Sequence, residues 1–281
     1  MLGYGQAGAT ESLALSAVRL SGGTHFPVAA SLAALGLSAR ARRSKGSNGD
    51  VAAHAASASL PDHAARTLSL GLALAVCPLA ITVSAWVRKA PPGAGLPPIV
   101  LFILARLALE ASAGLAALVR PPGALHAALQ DTLDAAEGAR ETASAAALML
   151  WAVSAGFLMS AVLALCAPSS YVAMTWPGAD AATLPALARD LLPALAGAML
   201  AATAAALTLA GGVRAAAAER AQQPMPYLVL CAGLAAMGAT HAGVHAAARA
   251  LPGTAAGVLC FVAAAVAATE LVQAWRANAA R

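Results

Sequence analysis

"ASAAALMLWAVSAGFLMSAVLALC", residues 143–166, runs without a charged side chain for longer than the roughly 20 residues that cross a bilayer core. Hydrocarbon offers backbone N–H and C=O groups no water, so a stretch like this satisfies them internally and is read as a spanning helix. Five similar stretches surround it, at residues 67–87, 98–119, 187–211, 226–248 and 253–275. The first ends in "WVRK" and the last at Trp275, interfacial tryptophans followed by charge. The expected fold is therefore all-α, a polytopic transmembrane helical bundle of six spans covering residues 63–281.

Composition agrees. Of 281 residues, 60% are hydrophobic and 10% charged, against about 25% charged in soluble domains. The net charge of +5 is spread over tails and loops with no aromatic-interleaved Lys/Arg run, which argues against a nucleic-acid partner. The lipid bilayer is the first partner implied, with other membrane subunits next. Cys77, Cys166, Cys231 and Cys260 lie far apart without CxxC spacing and read as small apolar packers.

Residues 1–62 differ from the rest. They are rich in Ala and Ser, include "SARARRSKGSNG" at 38–49, and hold few acids. Such composition suits either a transit peptide or a mostly disordered basic tail. "FPVAASLAALGL" at 26–37 is too short to span. A transit peptide would place the protein in an organellar inner or thylakoid membrane, and a tail in a bacterial inner membrane. Lys and Arg concentrate in both termini and in the second and fourth loops, so both termini are expected on the cytoplasmic, matrix or stromal side.

Two loops carry structure of their own. Leu125, Leu129 and Leu133 recur every four residues, with Asp131, Asp134 and Glu137 off that line, which predicts an amphipathic surface helix open to partner docking or to solvent. Tyr171 and Trp176, in the third loop, are expected at the headgroup level. There is no Walker loop, dinucleotide fingerprint or GxSxG. "PDHAAR" at Pro61 lacks the spacing and repetition of a mitochondrial carrier signature.

Ionisable groups inside spans cost about 2.5 to 3.5 kcal/mol on insertion scales, so each marks a candidate site. They are Arg106 and Glu110 on the second span, His241 and His245 on the fifth, and Glu270 near the end of the sixth. Arg106 and Glu110 share a helix face and can pair. Gly233, Met237, His241, His245 and Arg249 follow at spacing four and form one face that avoids lipid. At 1.5 Å per residue, Arg106 and His241 fall at similar depths. A buried polar layer of Arg106, Glu110, His241 and His245 is expected in the outer half of the bundle. Ser154 and Ser160 read as helix-packing hydroxyls.

"HAGVH", His241 to His245, resembles half of the zinc site of the membrane hydrolases that include alkaline ceramidases and the progestin-receptor-like proteins. That resemblance implies a metal-dependent hydrolase, with a further histidine, Ser and Asp on other helices. This chain has no third intramembrane histidine, and zinc would need Glu110 as its third ligand. A bis-histidine haem needs ligands on opposite faces of the iron, which one helix cannot supply. Met237 with His241 or His245 is a chemically reasonable but thin Cu(I) set. No cofactor follows from the sequence. The reading with fewest assumptions is a non-catalytic structural or scaffold subunit of a membrane assembly, not an enzyme. The alternative is a small-solute or proton-coupled transporter using the Arg106/Glu110/His241 layer.

Overall fold

Every apolar stretch forms a helix, as chain crossing hydrocarbon requires. The computed structural model describes residues 3–44, 59–89, 98–119, 122–141, 144–176, 186–217, 224–247 and 251–280, and no strand occurs among them. In chain order the helices are α1 (Gly3–Ser44), α2 (Asp62–Lys89), α3 (Pro98–Glu110), a π-helical turn (Ala111–Leu115), α4 (Ala116–Val119), α5 (Ala124–Arg140), α6 (Ala145–Cys166), α7 (Pro168–Thr175), α8 (Ala186–Ala217), α9 (Met225–Ala247) and α10 (Leu251–Ala279). Six segments are long and apolar enough to cross a membrane: Asp62–Lys89, Leu101–Val119, Ala145–Cys166, Arg189–Ala216, Met225–Ala247 and Leu251–Asn278. These are the six spans expected from sequence, and the chain is an integral membrane helical bundle. Leu74, Ile81, Phe102, Leu109, Leu158, Val262 and other large apolar side chains point outward, the orientation that lipid rewards.

Helix α8 is the central post. Its alanines from Ala194 to Ala210 are almost all buried, and it packs against α1, α2 and α6. Small residues allow this crowding, since without a hydrophobic drive between helices in lipid, close van der Waals approach holds them together. A Cβ at Gly238 of α9 would sit 2.6 Å from the backbone N of Phe261 and 2.7 Å from the carbonyl of Gly257 on α10. Gly114, in the π-helical turn, comes as close to the backbone of Ser69 and Ala73 on α2.

The amino-terminal region departs from expectation. Residues 3–44 form one helix where a mostly disordered stretch was one expectation, and α1 packs on α8 and α9. Gly23 lies against Thr240, and Phe26 and Ala30 against Gly233, so α1 runs antiparallel to α9. Val18 joins Leu79, Ile103 and Leu191, near the end marked by the Lys89–Asp190 ion pair. At the other end the Ser38 hydroxyl accepts from the Leu60 N–H at 3.0 Å, and Arg42 pairs with Asp62 at 2.6 Å. Helix α1 thus runs the height of the bundle, as a seventh helix beside the six apolar ones. Its buried Ser21, Thr24, Ser31 and Ser38 dilute its hydropathy. Thr24, Ser31 and Ser38 donate to carbonyls one turn back in the helix, at 2.8 Å each. Pro27 lies inside α1 without ending it.

The Leu125, Leu129, Leu133 stretch forms α5, as its periodicity predicts. A turn at Gly123 (φ 76) precedes it, a left-handed conformation that glycine adopts freely. Helix α5 packs by Ala124, Ala128 and Ala139, and Arg66 of α2 donates to Asp131 at 2.6 Å. Its three leucines stand 46% to 65% exposed.

Candidate functional site

Two clusters hold the polar residues of the spans. In the first, Arg106 Nε donates to Glu110 Oε1 at 2.5 Å, with side-chain exposures of 6% and 0%. This is the i,i+4 pairing expected of one helix face. The Arg106 guanidinium also reaches His25 Nδ1 on α1. A guanidinium only donates, so the nitrogen facing it carries the lone pair and the His25 proton sits on Nε2. The His25 ring further packs on Phe102, with centroids 5.5 Å apart. Arg106 Nη2 and Glu110 Oε2 remain without a hydrogen-bond partner. Sequence reasoning missed His25 because it fell in the expected tail, and no local signal sets it opposite Arg106, 81 positions away.

The second cluster is on α9. His241 and His245 stack edge to face with centroids 5.9 Å apart, 8% and 5% exposed. Both line a cavity of about 350 Å³ between α6, α7, α8, α9 and α10. His241 Nε2 and His245 Nδ1 are buried with no hydrogen-bond partner. The Thr175 carbonyl lies against His245, and a Cβ at Gly253 would meet the His245 ring, so α7 and α10 hold that imidazole in place. The exposed Met159 and Leu259 mark the open side of the cavity.

The expected single polar layer is thus divided. Arg106 and Glu110 meet His25, while His241 and His245 meet the cavity, and among the described residues no hydrogen bond or ion pair joins the two sets. Helix α1 touches both helices, with His25 on Arg106 and Gly23 on Thr240. Met237 is fully buried one turn below His241, and Arg249 lies outside the described residues. Tyr171 and Trp176 also differ from expectation, being 2% and 3% exposed and packed edge to face at 6.4 Å rather than lying at a surface. Tyr171 lines the cavity; burial pushes its phenol up to about 12, so it stays neutral, and it bonds to Thr175.

Other polar side chains hold helices together. Ser144 caps α6, accepting from Ala147 N–H at 3.2 Å, and donates to Glu270 of α10 at 2.9 Å. Cys260 donates to the Leu234 carbonyl at 3.3 Å, and Thr203 bridges to the Ser154 carbonyl at 3.4 Å. Ser160 instead lines the cavity. His63 and His126 are exposed on α2 and α5. Among the described residues no three His, Cys, Asp or Glu side chains converge to hold a metal, so the donor set implied by the hydrolase resemblance is incomplete here. No family model, curated protein or solved structure matches the chain.

Proposed function

We propose that this protein is a non-catalytic structural subunit, a scaffold, of a membrane assembly. The leucine stripe of α5 carries the reading. Leu125, Leu129 and Leu133 stand outward on a helix whose opposite face is pinned to the bundle by its alanines and by the Arg66–Asp131 pair. An apolar stripe held rigidly in this way suits the apolar helix face of a partner subunit, and single exposed leucines would not. The interhelical ties support the same reading: Lys89–Asp190, Ser144–Glu270 and Arg106–Glu110–His25 link helices to one another.

The transporter alternative uses Arg106, Glu110 and His241 as one site, and among the described residues no hydrogen bond or ion pair joins His241 to the other two. Extraction of native membranes in mild detergent, followed by mass determination of the intact particle, tests the scaffold. The expected particle contains this chain and a partner at fixed stoichiometry, and Leu129→Asp releases the partner while the chain stays folded. A single-chain particle from native membranes, or a complex indifferent to Leu129→Asp, contradicts the reading.

A further inference from the structure

The cavity beside His241 and His245 has an unusual lining. The sequence contains seven methionines, and three of them, Met159 on α6, Met174 on α7 and Met199 on α8, line this one cavity. That convergence is not visible in the sequence, where the three lie on separate elements. Thioethers alone would be ordinary gap-fillers. Here the same cavity is lined by two histidines whose His241 Nε2 and His245 Nδ1 are buried and have no hydrogen-bond partner. An orphaned buried polar atom bears its full desolvation cost, and two on one cavity's lining point to an occupant that satisfies both.

The chemistry of the lining selects the occupant. Imidazole and thioether together are a soft donor set, which suits Cu(I), whereas Mg²⁺, Ca²⁺ and Mn²⁺ want oxygen ligands. No carboxylate or thiol lines the cavity, so the donors bring no charge to offset the ion. The cost of burying a charge rises steeply with its size, so neutral donors favour a monovalent ion over Zn²⁺ or Cu²⁺. Two imidazoles one helical turn apart cannot grip an iron from opposite sides, but a trigonal or tetrahedral ion needs no opposed ligands. His245 is already oriented: a bond from its Nε2–H to the Thr175 carbonyl would leave the lone pair on the unpartnered Nδ1, the outer-shell support usual for a ligating histidine. Methionine side chains, with three rotatable bonds, can close on an ion smaller than the cavity.

We infer that this cavity is a binding site for Cu(I), held by His241 Nε2, His245 Nδ1 and the thioether of Met199, with Met159 and Met174 at its mouth. The site stands independently of the scaffold reading, since it uses no residue of α5. Its test is anaerobic titration of the full-length protein in detergent with Cu(I), against a competing copper(I) chelator, with the exposed Cys77 and Cys166 replaced by Ser. One Cu(I) per chain is expected, with nitrogen and sulfur scatterers in X-ray absorption. Met199→Leu conserves volume and should weaken binding about tenfold or more with thermal unfolding unchanged; His241→Ala should weaken it further. Failure to retain Cu(I) overturns the proposal. So does binding that is unaltered in both variants, which would locate the ion at the buried cysteines, or preferential uptake of Zn²⁺ or of an apolar small molecule.

Discussion

Arg106 shows how a single side chain can be too costly to leave alone in a bilayer. Its guanidinium is 6% exposed and is offset by Glu110 and His25. Removing one partner of a buried ion pair strands the other and costs about 3 to 5 kcal/mol, whereas replacing both by apolar groups is often neutral or stabilising. Glu110→Leu should therefore lower the thermal midpoint in detergent markedly, and Arg106→Met combined with Glu110→Leu should recover most of the loss. Equal melting of the single and double variants would mean that the pair does not hold the fold. The sequence disclosed this pair, because spacing four within one span is a local property. It could not disclose His25, whose contact with Arg106 spans 81 positions and depends on α1 lying in the bundle.

At the level of elements, the glycines set how closely helices approach. A Cβ at Gly238 would meet the α10 backbone at 2.6 to 2.7 Å, and backbone cannot rotate aside as a side chain does. Gly238→Ala should destabilise by about 1 to 3 kcal/mol, as overpacking does; Gly243→Ala, on the same helix with nothing near its Cβ position, should be close to neutral. Parallel thermal melts of the two variants decide this, and equal shifts would contradict the close crossing. Helix α1 makes a second prediction. Running the height of the bundle beside the six apolar helices, it predicts that residues 6 and 278 face opposite sides of the membrane, where charge counting expects a common side. In a chain without native cysteines, Gln6→Cys and Asn278→Cys should react with an impermeant maleimide from opposite sides of sealed vesicles. Labelling of both from one side would contradict this.

Taken as a whole, the molecule was legible in proportion to how local each signal was. All six apolar spans could be read, because a run such as residues 143–166 declares itself without reference to anything else in the chain. Helix α5 could be read for the same reason, from leucines at spacing four. Helix α1 could not, because His25, Pro27 and its buried serines lower its apolar character, and its burial comes from packing against α8 and α9. The methionine-lined cavity was equally hidden, since Met159, Met174 and Met199 belong to three elements that only the fold brings together. The first of these depends on the amino-terminal helix being part of the molecule. The most direct measurement is a disulfide between α1 and α9: Gly23→Cys with Thr240→Cys, neighbours in the fold, in a chain without native cysteines and with a protease site inserted between residues 44 and 59. After oxidation in membranes and cleavage, the expected result is one linked species that separates into two fragments only on reduction. Two fragments regardless of oxidant would show that α1 does not pack on α9, and the seven-helix account would fall.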